Sequence, residues 1–388
     1  MSLRAKIEQE IRQGGPIPFS RYMELCLYDP ELGYYSRPAE KFGRAGDFYT
    51  SSDVHAVFGR LLARQFEEMW RVLGSPERME LLELGPGRGL FARDVLDWSE
   101  KKFPDFFRTV HYTLVERSPA LRRSLHTRLS QHLATGRASI IDTSRAGTRV
   151  RALSTEVPLI VVANEFLDAL PVEVVSAEGS LRLAVENGRL VEKWVPASTA
   201  ELEFLDRYGV HPGPGDRTEI CFEARQHMEA LAEAIERGFF IVIDYGYTRE
   251  EQLAGRHLGT IMTYREHTAS PNPYEVPGEQ DITGHVNFTA LVAAAEQNGV
   301  QTHRLLTQSQ FLMGIGEVNQ FADAFEECRL PQERAKVALQ LKHLVTPAGM
   351  GETFQVLVAS KGVDVALTGQ LRGLSFGKSG DFLRARLK

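Results

Sequence analysis

Residues 79–95, MELLELGPGRGLFARDV, place an acid, Glu83, two positions before the turn Gly85-Pro86-Gly87-Arg88-Gly89. Glycine tolerates positive φ and lets the backbone approach a ligand closely. A dinucleotide-binding turn reads G-x-G-x-x-G and leaves room for a pyrophosphate at a helix N-terminus. Here the glycines alternate. A carboxylate at Glu83 would repel a pyrophosphate and attract a cation. An adenosine carrying an ammonium and a sulfonium suits that pattern, which points to S-adenosylmethionine and away from NAD. Glycine alone marks many tight turns, so the pattern needs support from the strands beside it.

The run VHYTLVER ends in Glu116, just before a helix start at Ser118-Pro119. An acid at the end of a second strand is where such folds bind ribose hydroxyls; NAD enzymes share it, so it marks a nucleoside and not a sulfonium. In VVANEFLDALPVEVV, Asn164, Glu165 and Asp168 follow an apolar strand, at the end where open α/β sheets bind ligands. These three are candidates for cofactor or substrate contacts. The plainer alternative is that Asp168 caps the turn before Pro171 and Asn164 satisfies backbone groups. Asp244 and Tyr245 hold the analogous end of a fifth strand.

The elements that must position these residues are legible in outline. Short apolar runs at 79–85, 110–117, 138–142, 158–166 and 238–247 alternate with helical stretches. Cores such as Leu159-Ile160-Val161-Val162 suit strands buried on both faces of a parallel sheet. The expected fold is a doubly wound α/β sheet of Rossmann type. Residues 59–74 read as a helix stopped at Gly74. Glu178-Gly179 and Asn187-Gly188 are hairpin signals, so 171–195 reads as a β insertion. Residues 263–285 are polar and rich in Pro and Gly, as in an ordered surface loop or lid. Residues 317–346 look helical, and 353–362 reads as a late strand at the sheet edge.

The chain has 388 residues, 43% of them hydrophobic and 25% charged, with net charge −6 and no long Lys/Arg run, which disfavours tight nucleic-acid binding. No apolar run reaches the roughly 18–20 residues of a membrane span. The first fifteen residues read as a short amphipathic helix and lack the features of a signal or transit peptide. Three scattered cysteines, Cys26, Cys221 and Cys328, fit a reducing compartment. No His or Cys spacing suggests a metal. A bacterial cytosolic setting is expected, or a mitochondrial one if a transit peptide has been removed.

The motifs GPIPFSRYMELCLYDPELGYYS, GDFYTSSDVHAVFGRLLARQFEEMW, LELGPGRG, VERSPALR, NEFLDALPVEVV, IDYGY and QDITGHVNFTAL occur in this order. Together they resemble the MidA family of class I S-adenosylmethionine-dependent methyltransferases, whose mitochondrial members are complex I assembly methyltransferases. The resemblance spans residues 14 to 360. It implies a class I methyltransferase sheet with an N-terminal helical cover (1–78), a core (79–362) with inserted substrate-recognition regions at about 171–230 and 263–350, and a C-terminal tail (363–388). It implies cofactor binding by Glu83, Gly85, Pro86, Gly87 and Gly89, by Glu116 and by Asn164. The segment Gly46, Asp47, Phe48 and Thr50 matches a cover over the cofactor, and Asp281, Thr283 and His285 match a loop before a late helix. It implies an arginine of a protein, such as a respiratory complex I subunit, as acceptor. The chain departs from the family at Ser52, often proline there, and across 262–278.

The resemblance then implies in-line displacement, with a guanidinium nitrogen attacking the methyl carbon of the sulfonium. Arginine resists deprotonation at neutral pH, so carboxylates must hold its planar fork. Glu165 and Asp168 are the expected holders, and the departing proton goes to a carboxylate or to His285. Closure of 263–285 about Gly278 and Gly284 would exclude water. The alternatives are a small-molecule or RNA methyltransferase on the same sheet, and a non-catalytic assembly factor that keeps the cofactor fold.

Overall fold

The computed structural model describes residues 1–36, 51, 56–142, 157–265 and 268–376. Six strands form the body of its nine-stranded main sheet: β1 (Met79–Leu84), β2 (Val110–Val115), β3 (Ala138–Ile141), β4 (Leu159–Asn164), β5 (Gly238–Tyr247) and β6 (Phe354–Lys361). Their spatial order is β3–β2–β1–β4–β5–β6. The first five are parallel and β6 runs antiparallel to β5. The order reverses between β1 and β4, which makes the crevice at their carboxyl ends the natural ligand site.

The strands are apolar because both faces are covered. Every residue of β1 is buried, as is every residue of β4 except Asn164. Alternate residues join different cores, as the two-residue period of a strand requires. Leu81, Ile160, Val162 and Ile241 pack on the helices Val57–Val72 and Leu90–Lys102. Leu82, Val161, Ala163 and Val242 pack on the helices Phe222–Ala234 and Phe288–Gln297. The doubly wound α/β class read from the sequence is the fold observed.

The β insertion is a five-stranded sheet in which Glu173–Ser176, Gly179–Glu186, Arg189–Val195, Arg217–Ile220 and the N-terminal Ile17–Pro18 all pair antiparallel. Glu186 pairs with Arg189 across Asn187-Gly188, both at positive φ, as a tight two-residue hairpin turn requires. Residues 1–78 have two destinations. The helices Leu3–Gly14 and Phe19–Tyr28 pack on this insertion sheet, through Ile7, Tyr22 and Met23 against Val174, Leu181 and Leu183. The helix Val57–Val72 belongs to the main core.

Two expectations need correction. Segment 263–285 is more than a loop: Met262–Arg265, Thr268–Ser270 and Asp281–Thr283 form a small antiparallel sheet. β6 is not the edge strand, because Gln301–Thr302 and Leu306–Thr307 pair along its outer side. Backbone donors and acceptors on an exposed edge invite a partner, and these short strands supply one.

Candidate functional site

A cavity of about 410 Å³ opens at the carboxyl ends of β1, β2, β4 and β5. It gathers Glu83, Gly85, Pro86, Gly87, Glu116, Asn164, Glu165 and Asp168 from the residues singled out in the sequence. Its far wall comes from Tyr28, Tyr35, Tyr245, Tyr264, Asp281 and Thr283.

The glycine turn is set by conformation. Gly85, Gly87 and Gly89 have φ of 64°, 53° and 75°, a region that side chains resist. A Cβ on Gly85 would lie 2.6 Å from Cδ2 of Phe166, and one on Gly89 would lie 2.5 Å from Cδ2 of Leu125. Gly89 therefore packs the turn against the neighbouring helix and is not part of the cavity wall. Gly87 differs: a Cβ there would meet no atom within 4 Å. It lines the cavity, so its bare backbone leaves space for a ligand.

Two acids flank the turn. Glu83 is buried and accepts a hydrogen bond from the Tyr112 hydroxyl at 2.9 Å. Burial pushes its pKa up to about 8 against that hydrogen bond, and Glu116 adds to the rise. Glu116 accepts from the Ser118 amide at 2.8 Å. Burial raises it to about 7, opposed by the amides of Ser118 and Gly87. An uncompensated carboxylate in a dry site keeps its proton until a cation or donor arrives.

After β4 the chain turns sharply at Glu165, a non-glycine residue at φ 50°. Its Oε1 accepts from the Ser51 amide at 2.9 Å and from Nδ2 of Asn164 at 3.2 Å. The second bond fixes the Asn164 amide, whose Oδ1 is buried with no hydrogen-bond partner among the described residues. Such an orphaned acceptor beside a cavity fits a ligand donor. Asp168 is buried, and burial, then Asp244, Asp281 and Glu165, hold it well above the usual carboxylate range. Asp244 itself bonds backbone amides of the loop, so it is not the strand-end ligand contact that its position suggests.

The far wall is tied across the cavity by hydroxyls. Tyr28 donates to the Ala169 carbonyl at 2.9 Å, and Tyr35 donates to Oδ1 of Asp281 at 2.9 Å. The two rings stack with centroids 5.5 Å apart. Ser118 Oγ donates to the Tyr35 carbonyl at 2.6 Å. At the rim, Arg117 lies 4.6 Å over the Tyr28 ring and pairs with Glu24 at 3.1 Å.

His285 is not in the cavity wall. Its Nδ1 lies 3.1 Å from Nδ1 of His257, and its ring stacks on Tyr245. Burial, then His257, lower it to about 4. The proton-acceptor role expected for His285 therefore has no geometric basis. Of the two glycines expected as hinges, Gly278 is packed tightly, its Cβ position 2.5 Å from Leu3 and 2.6 Å from the Leu32 carbonyl. The Gly284 amide donates to the Asp168 carbonyl at 2.9 Å. Asp47 and Thr50, with Gly46, Phe48 and Ser52, lie outside the described residues. Sequence reading assigned no role to Tyr28, Tyr35, Tyr264, Glu223 or His227. The YDPELGYY stretch holds the first two but nothing local says that they face a ligand; Glu223 and His227 sit on a helix face with no signal either.

The residues fit the cofactor expected from the sequence. Buried acids at two strand ends suit cationic and hydroxyl groups, Gly87 leaves a cradle open, and Asn164 offers a free acceptor. No cluster able to hold a metal occurs among the described residues, and no helix among them is long and apolar enough to cross a membrane.

Comparison with known proteins agrees. Residues 61–306 match the model of a family described as "Putative S-adenosyl-L-methionine-dependent methyltransferase". The chain is 30% identical to a mitochondrial protein arginine methyltransferase NDUFAF7 homolog of Drosophila melanogaster, over 93% of this chain and 85% of that protein. It is 27% identical to the mitochondrial protein arginine methyltransferase NDUFAF7 of Homo sapiens, over 89% and 80%. A crystal structure from Burkholderia thailandensis bound to S-adenosyl-homocysteine is similar at TM-score 0.80 and 29% identity, covering 96% of this chain and 94% of that one.

Proposed function

The chain belongs to the MidA family of S-adenosylmethionine-dependent methyltransferases, and we propose that its acceptor is the guanidinium of an arginine in a protein. The observation that carries this reading is the convergence of Glu165, Asp168 and Asp281 with four tyrosines in the lining of one cavity. A planar cation with several N–H donors is matched by carboxylates that accept and by aromatic faces that attract it. The names of the relatives as protein arginine methyltransferases support the same acceptor. A respiratory complex I subunit is the finer form of this reading, and it rests on the family resemblance.

S-adenosylmethionine supplies an electrophilic methyl on a sulfonium. The turn at Glu83–Gly89, with Glu116 and Asn164, holds it. Glu165 and Asp168 orient the guanidinium, which fixes one nitrogen's approach. Positioning of this kind supplies several kcal/mol of the barrier, on the order of 7–11 in well-oriented intramolecular reactions. As the nitrogen–carbon bond forms and the sulfur–carbon bond breaks, the nitrogen must lose a proton. Asp168, ionised once the guanidinium cation sits beside it, receives that proton, and its buried, acid-rich surroundings favour the protonated form that results. The tyrosine wall excludes water, which strengthens each of these interactions.

The test is transfer of a labelled methyl group from S-adenosylmethionine to a protein fraction, followed by acid hydrolysis. Label in methylarginine is expected. Label confined to RNA, to small molecules or to other side chains overturns the acceptor.

A further inference from the structure

In the loop that carries Glu165 and Asp168, the amides of Phe166, Leu167 and Asp168 lie past the end of the β4–β5 pairing. One side chain of β5 binds them instead. Asp244 is fully buried, and its Oδ2 accepts from the amides of Phe166 at 3.2 Å, Leu167 at 2.8 Å and Asp168 at 3.3 Å. Its Oδ1 accepts from the Tyr245 amide at 2.9 Å. Four backbone donors on one carboxylate answer a need that the turn creates, since each buried amide requires an acceptor. Asp244 has no ion pair among the described residues, so the amides alone compensate its burial. The β4–β5 pairing runs one step further to bring the loop within reach: the Glu165 amide donates to the Ile243 carbonyl at 2.9 Å. Glu165 has a positive φ at that point.

We propose that Asp244 is a positioning residue for methyl transfer, fixing the Glu165–Asp168 loop so that both carboxylates meet the acceptor. The carboxylate acts twice. Its oxygens set the backbone. Burial raises its own pKa to about 7 against those amides, and where it is ionised its charge opposes ionisation of Asp168. Asp168 is also faced by Asp281 and Glu165, and by the hydroxyls of Tyr28, Tyr35, Tyr245 and Tyr264. Asp244 is faced in addition by Cys221. A lone alanine or leucine at 244 would serve a merely apolar strand interior; neither would set this loop.

This role rests on the proposed methyl transfer only in naming what the two carboxylates meet. Its test does not depend on what the acceptor is. Amide hydrogen exchange is measured on the full-length protein with Asp244, and on the variants Asp244→Asn and Asp244→Ala. In the unsubstituted protein the amides of Phe166, Leu167 and Asp168 should exchange as slowly as those of the β4 interior; fast exchange there overturns the proposal without any variant. Asp244→Ala should accelerate those three amides about 100-fold while β4 and β5 amides change little, because loss of a local acceptor opens a local segment. Asp244→Asn keeps one oxygen and loses the charge, so the acceleration should be nearer tenfold. In that variant the Asp168 carboxyl, followed by carbon NMR, should ionise at lower pH. Affinity for S-adenosyl-homocysteine, read by calorimetry, should stay within about threefold of the original, since the cofactor turn is untouched. Uniform acceleration through β4 and β5, or an unchanged Asp168 titration in Asp244→Asn, would make Asp244 a structural residue only.

Discussion

The two ends of the cavity are shaped by opposite means. At the glycine turn, the backbone takes its path because side chains are missing: three residues at φ 53–75° would be strained with a Cβ. At the loop after β4, the backbone takes its path because a side chain is present, the Asp244 carboxylate beneath four amides. The first end is encoded in five consecutive residues. The second is encoded in two segments almost eighty residues apart. The ends meet where Gly85 faces the Phe166 ring.

That point gives the largest expected effect. Gly85→Ala adds a methyl 2.6 Å from Phe166 at φ 64°, a strain and overpacking of about 2–4 kcal/mol. Thermal unfolding should show the loss, and S-adenosyl-homocysteine binding should weaken with it. If the variant melts like the original, the two ends are mechanically independent. Next, Asp168→Asn tests the acid loop by itself. Transfer of labelled methyl to methylarginine should fall about 100-fold or more, because a carboxylate changed to an amide loses both its charge-assisted bonds and its proton affinity. S-adenosyl-homocysteine affinity should hardly move. Gly87→Ala is the smaller counterpart at the other end. Its methyl meets nothing, so folding should lose only the φ penalty of about 1–2 kcal/mol. Calorimetry should then show weaker cofactor binding, since the methyl occupies ligand space.

A pH-graded effect sharpens the same contrast. Glu83 and Glu116 have folded pKa values raised to about 8 and about 7, above the ordinary glutamate value of 4.5. An acid raised on folding favours the folded state when protonated. Its contribution is complete below about 4.5 and is lost as pH rises through 7–8. The melting temperature of the protein measured without ligand should therefore decline across that window, and Glu83→Gln should flatten much of the decline. The smallest effect is expected at His285, outside the cavity. His285→Gln should change labelled-methyl transfer by less than about threefold; a loss as deep as that of Asp168→Asn would return His285 to the chemistry.

How far the sequence could be read depends on the same distinction. Glu83, the glycines and Glu116 were legible because strand, turn and acid are neighbours in the chain. The sheet was legible because strands buried on both faces must be apolar throughout, as in Leu159–Val162. Asp244 was legible as a strand-end acid but not as the anchor of another loop, since nothing local says which amides it will meet. The same limit hid Tyr28, Tyr35 and Tyr264, which reach the cavity from separate elements. His285 misled because its sequence neighbours, Asp281 and Thr283, do line the cavity, while its own ring turns to His257.

The tyrosine wall has a consequence for the order in which the chain is made. Tyr35 is bonded to Asp281, and Tyr22 to the carbonyl of Pro273, across 246 and 251 residues. The helices Leu3–Gly14 and Phe19–Tyr28 settle on the insertion sheet, whose strands lie at 173–220. Residues 3–28 thus leave the ribosome well before the strands and loops they pack against. Until residues 173–220 have emerged, the apolar faces of these helices lack the sheet that covers them, a period in which chaperone contact would matter most. The wall of the cavity is complete only when the two far parts of the nascent chain have met.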